Sequence, residues 1–130
     1  MASELRLTTL ANNAGTESVD TTYVINGSAK AWVFTTDKAT YVPDNSLNIS
    51  SVTDNGVGRV EPNFSNSFAN AHIAGSSDVG FNRSAGSYNT DGGITTSSYA
   101  TYILVPNTGA AADVAGAGGG YAYKFHGDLA

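Results

Sequence analysis

Gly27-Ser28-Ala29-Lys30-Ala31-Trp32-Val33-Phe34, then Ser46-Leu47-Asn48-Ile49-Ser50-Ser51-Val52-Thr53-Asp54-Asn55-Gly56-Val57-Gly58-Arg59-Val60, is the most legible part of this chain. The first run is rich in β-branched and aromatic residues and holds the single tryptophan, so it reads as a strand. In the second run Leu47 and Ile49 alternate with Ser46, Asn48 and Ser50, the period-2 pattern of a half-buried strand. Asp54-Asn55-Gly56 is a hairpin turn, because Asn and Gly adopt positive φ with little steric cost. Val57 to Glu61 then returns as the partner strand.

The same grammar extends in both directions. Glu4 to Leu10 reads as a short strand ending at the Asn12-Asn13-Ala14-Gly15-Thr16 turn. Thr21 to Ile25 reads as another strand, with Asn26-Gly27 as a type I′ turn into the tryptophan strand. Residues 36–45 are expected to be irregular, limited by Pro43. Phe64, Phe68, His72 and Ile73 fall in one loop and one strand. Residues 75–98, rich in Ser, Asn and Gly, read as a long polar insert on an exposed surface. Tyr99 to Val105 is the most apolar strand, expected to be covered on both faces. Gly109 to Gly120 is an Ala/Gly loop, and Tyr121 to His126 alternates so that Tyr121, Tyr123 and Phe125 share a face. About seven or eight short strands between turn signals predict an all-β fold, a single small antiparallel β-sandwich or sheet domain. Residues 21–130 would form that domain and residues 1–20 an N-terminal arm.

Composition narrows the function classes. Only 13% of the 130 residues are charged, and Ser, Thr, Asn and Gly fill the deficit. Such residues are poor in helix interiors and suit short strands and turns. The net charge is −5, and the six basic residues are scattered singly. That argues against nucleic acid or an anionic membrane surface as a partner. No apolar run is long enough for a membrane span, and Met1 to Arg6 has no signal-peptide pattern. With no cysteine there is neither a disulfide nor a thiolate metal site.

The 27–64 stretch closely resembles a module of bacteriophage virion proteins, especially of marine phages, described as tail-fibre-like. That module pairs a Gly-x-Ala-Lys-Ala-Trp-Val strand with a Ser-(Phe/Leu)-Asn-(Val/Ile)-Ser-Ser-(Ile/Val)-Thr-Asp-Asn-Gly-x-Gly hairpin. Residues 4–16 and 121–128 match more loosely. One departure matters: the module usually reads Trp-Val-Asn-Phe, whereas Trp32-Val33-Phe34 lacks the Asn. A one-residue difference reverses which side chains face the core, so the facing of this strand is not carried over. The resemblance implies a non-enzymatic structural protein at the virion surface, made in the host bacterial cytoplasm and commonly a homotrimer. Its partners would be its own copies, other tail or capsid proteins and a host-surface glycan. Residues 1–20 are then expected to dock, and the 75–98 insert to form the distal surface. At 130 residues the chain is short for a complete tail fibre. A capsid decoration (cement) or head-fibre protein is the alternative, and a free carbohydrate-binding module the second alternative.

Catalytic, cofactor and metal residues are expected to be none. His72 and His126 stand far apart without partners at ligand spacing. No Gly-x-Ser-x-Gly elbow is present. Gly116-Ala117-Gly118-Gly119-Gly120 lacks the Lys-Ser/Thr of a phosphate loop. Asp54, Asp78 and Asp91 occupy turn or loop contexts, and Asp54 is explained by turn chemistry alone. Trp32, Phe34, Tyr102, Leu104, Tyr123 and Phe125 are the candidate core or interface anchors, since aromatic and large aliphatic side chains carry most of the burial. Phe81, Asn82, Tyr88 and Asn89 are the candidate exposed contacts, with the aromatic-plus-amide composition of adaptable binding loops.

Overall fold

The computed structural model describes residues 7–36, 41–79, 84–87, 93–105, 108–113 and 120–130. Among them are ten strands and one short helix. β1 (Thr9–Ala11) and β2 (Ser18–Asp20) form a hairpin by themselves. α1 (Thr21–Gly27) follows. One four-stranded sheet is ordered β4-β3-β10-β7 and is built from β3 (Ala31–Thr35), β4 (Asn45–Leu47), β7 (Ala74–Val79) and β10 (Tyr121–His126). The other is ordered β5-β6-β9-β8, from β5 (Ile49–Asp54), β6 (Arg59–Phe64), β8 (Ser84–Ser87) and β9 (Thr101–Leu104). Every pairing is antiparallel. The all-β expectation therefore holds, as a sandwich-like pair of sheets.

The core lies between the sheets. Ala31, Val33 and Thr35 alternate inward along β3, opposite Phe125, Tyr123 and Tyr121 of β10. Val60, Pro62 and Phe64 of β6 and Thr101 and Ile103 of β9 face them. Aliphatic residues are few, so aromatic rings fill the space. Phe125 meets Phe64 edge-on at 5.2 Å and Tyr99 at 5.1 Å, and Tyr123 stacks on Phe125 at 5.4 Å. Each such pair adds about 0.5–1.5 kcal/mol beyond its burial.

Four local expectations are corrected. Thr21 to Ile25 is helix rather than strand, and Asn26-Gly27 ends that helix instead of turning a hairpin. The apolar run is too short for its period to distinguish the two states. Asp20 precedes the helix, a residue type favoured at its N-terminus, and the Ser28 N–H closes the last turn on the Val24 carbonyl at 3.2 Å. Next, the strand expected through Leu47, Ile49 and Val52 is split between the two sheets. The break is Asn48, at φ 54°. Its carbonyl accepts from the Ser65 N–H at 3.1 Å, its Oδ1 accepts from the Asn66 N–H at 2.7 Å, and its Nδ2 donates to the Asn66 carbonyl at 3.1 Å. Asn tolerates the left-handed region, so one residue turns the chain from one sheet to the other. Finally, the described residues of the 75–98 segment include two strands rather than only an appended loop. β7 pairs with β10 along its whole length and β8 with β9, so this segment supplies an edge strand to each sheet. The polarity that suggested a loop suits an edge, where one side of the strand stays in water. Gly75 serves the core here: a Cβ would lie 2.9 Å from Cζ of Tyr99.

The most apolar strand is also shorter than expected, with β9 limited to Thr101–Leu104 while Tyr99 sits buried in the core. Its outward residues Tyr102 and Leu104 are half-buried.

Candidate interaction surface

Two surfaces combine exposed apolar side chains with charge. The first is the arm. Residues 7–20 are exposed throughout. The turn is shaped by Asn12, whose Oδ1 accepts from the Thr16 N–H at 3.0 Å, and by Gly15 at φ 65°. Leu10 and Val19 are directly opposite in the hairpin and so project from one face. Asn12 and Glu17 lie just beyond the strand ends, at the base of the turn, where the Asn12 N–H donates to the Glu17 carbonyl at 3.0 Å. Leu10 is 41% and Val19 40% exposed. A lone two-stranded hairpin is at best marginally stable in water.

The second is the outer face of the β4-β3-β10-β7 sheet. Alternation turns Trp32 and Phe34 outward, since Ala31, Val33 and Thr35 are buried. Register then sets two rows across the sheet. One runs Leu47, Trp32, Lys124, Ser76 and the other Asn45, Phe34, Ala122, Asp78. Phe34 is 43% and Leu47 50% exposed, Trp32 is half-buried and Lys124 is exposed. The result is an aromatic and aliphatic patch with a cation at its side.

On β5, β6 and β9 of the other sheet, outward polar side chains bond to one another. Asn63 Nδ2 donates to Ser51 Oγ at 3.1 Å and Thr53 Oγ1 at 2.9 Å. Glu61 accepts from Asn55 Nδ2 at 2.9 Å. Arg59 donates from Nε to the Tyr102 hydroxyl at 3.0 Å, with its guanidinium 5.7 Å from that ring's centre. Such a face is a solvated sheet surface.

The anchor candidates thus separate by location. Tyr123 and Phe125 are in the core. Trp32 and Phe34 lie on the outer patch, Tyr102 on the polar outer face, and Leu104 at the end of β9 bridged to Ala111. The contact candidates Phe81, Asn82, Tyr88 and Asn89 lie outside the described residues. Leu10, Val19, Leu47 and Lys124 were not singled out by the sequence. Only strand register places Leu47 and Lys124 on either side of Trp32, and register is not readable from one sequence.

Acid–base chemistry is sparse. Burial pushes the Tyr123 hydroxyl up to about 12 and the Tyr121 hydroxyl well above its ordinary value. Both belong to the core. His72 is exposed and His126 half-buried on the outer side of β10. Among the described residues no group of three or more His, Asp or Glu side chains is arranged to hold a metal ion, and no helix is long and apolar enough to cross a membrane. No protein-family model, curated protein or solved structure matches the chain.

Proposed function

We propose that this chain is a non-enzymatic structural protein of a bacteriophage virion, a tail-fibre-like surface appendage that assembles as a homotrimer and mediates contact with the host. The motif resemblance over residues 27–64 supports the virion setting. The observation that carries the reading is the exposed apolar surface of a single chain. Of the ten large hydrophobic residues described as exposed, five (Leu7, Leu10, Val19, Val24 and Ile25) fall in the arm and α1. Two more, Phe34 and Leu47, sit together on one sheet face. A monomer that ends its life in solution rarely concentrates apolar exposure in this way, and assembly would remove it.

Gold-labelled antibody against the chain, applied to purified particles of the encoding phage, tests the assignment. Label confined to the tail or another appendage supports it. Label spread evenly over the shell moves the protein to the capsid-decoration reading. Particles free of both label and peptide would overturn the virion assignment and leave the carbohydrate-binding module.

A further inference from the structure

We infer that the apolar face of the arm hairpin of one copy, Leu10 and Val19 with Glu17, docks on the outer sheet face of a second copy, on Trp32, Phe34 and Leu47 beside Lys124. This deepens the self-assembly part of the proposed function and is independent of where in a virion the protein sits.

Three observations carry the inference. Within one chain the two surfaces leave each other uncovered, because Leu10, Val19, Phe34 and Leu47 are each exposed by 40% or more. Both are built on extended antiparallel strands, a hairpin and a sheet. Glu17 on the arm and Lys124 on the sheet face carry opposite charges, with the Asp78 carboxylate also on that face, diagonal to Lys124 on the side away from Leu47. Glu17 lies just before β2, two residues from Val19, about 7 Å away along an extended chain. Lys124 is directly opposite Trp32 and diagonal to Phe34, about 5 and 7 Å away respectively. With Val19 seated over Phe34 and Leu10 toward Leu47, Glu17 has about the same spacing from Val19 as Lys124 has from Phe34, which allows the two charges to meet. The chain carries both halves of the contact, so a second copy is sufficient to complete it. The contact is heterologous, arm to face, and such contacts close into rings when the rotation allows.

The chain has no cysteine, which permits an unambiguous cross-link. Full-length Leu10→Cys protein, labelled with nitrogen-15, is mixed with unlabelled Leu47→Cys protein and oxidised. The expected product is a disulfide-linked pair containing one chain of each kind, in at least tenfold excess over either homodimer. Only homodimers, or only uncrosslinked chains, would overturn the inference, including the case in which the arm captures a different virion protein. A second measurement guards against loss of packing by Leu10→Cys. Lys124→Glu and Glu17→Lys should each weaken self-association about tenfold, and the double variant should restore it. A double variant as weak as the singles would also overturn the inference. The antibody labelling of particles is unaffected by either result, so failure of the contact and failure of the virion assignment are distinguishable.

Discussion

The Tyr121 hydroxyl of one sheet lies 3.1 Å from Thr101 Oγ1 of the other, in the buried centre of the sandwich. Thr101 Oγ1 donates its only proton to the Val60 carbonyl at 2.7 Å. Tyr121 must then be the donor to Thr101. The hydroxyl pair is a polar stitch between the sheets in a core rich in aromatic rings, and its two members are not equivalent.

Thr101→Val keeps the shape but strands the Tyr121 hydroxyl without an acceptor and removes the donor to Val60. It should cost about 2 kcal/mol, within the range for burying an unsatisfied polar group. Tyr121→Phe removes the donor and leaves Thr101 still bonded to Val60, so about 1 kcal/mol is expected. Urea denaturation of the two variants checks the order. Equal losses, or a larger loss for Tyr121→Phe, would contradict the assignment of the donor.

The buried tyrosines set an alkaline limit. Burial holds Tyr123 neutral in the folded state up to about 12, against 10.0 for an unperturbed tyrosine, and raises Tyr121 in the same direction. Above pH 10 the unfolded chain releases these protons and the folded chain does not, so the unfolded state gains. Their contribution is therefore complete below pH 10 and is lost as the pH rises through the folded values, by up to about 1.4 kcal/mol per pH unit for each group. Denaturation midpoints between pH 9 and 12 should fall steadily. Tyrosinate absorbance should show a late fraction that appears only with unfolding.

Gly58 sits at φ 66°, and a Cβ there would lie 2.5 Å from the Ile103 carbonyl oxygen and 2.7 Å from the Ala112 nitrogen. These are backbone atoms held by their own hydrogen bonds: the Ile103 N–H donates to the Gly58 carbonyl at 2.8 Å, and the Ala112 N–H to the Ile103 carbonyl at 3.0 Å. Gly58→Ala is expected to cost about 3 kcal/mol or more, through left-handed strain plus a clash that cannot relax cheaply. Gly15→Ala has a similar φ of 65° but open space, and should cost about 1 kcal/mol. Thermal melts of the pair separate the clash from the strain.

Asn48 should behave as a corner with two independent parts. Asn48→Gly preserves the backbone conformation and loses the amide clasp on Asn66, for about 1 kcal/mol. Asn48→Ala loses both and should cost about 2–3 kcal/mol. Finding Ala no worse than Gly would show that the positive φ is not required.

How far the sequence foretold this arrangement depends on the kind of signal. The Trp32 strand, the β5–β6 hairpin and the alternating Tyr121 to His126 strand were legible because turn chemistry and period-2 patterning are local, although the hairpin loop runs on to Gly58, with positive φ at Gly56 and Gly58 rather than at Asn55, and the return strand starts at Arg59 instead of Val57. Asn48 was not, because a sheet change is set by contacts with Asn66 that lie far along the chain. β7 was hidden by its composition: an edge strand of Ala, Gly, Ser and Asp carries its weight through backbone pairing with β10 and leaves space for Tyr99. The outer patch was half visible. Trp32 and Phe34 stood out as large side chains, while their companions Leu47 and Lys124 depended on register with two different strands.

The solution mass of the full chain, by light scattering after size exclusion over a wide concentration range, tests most directly whether the exposed arm and sheet face are completed by further copies. The account predicts a trimer that persists on dilution. A monomer at every concentration would contradict it.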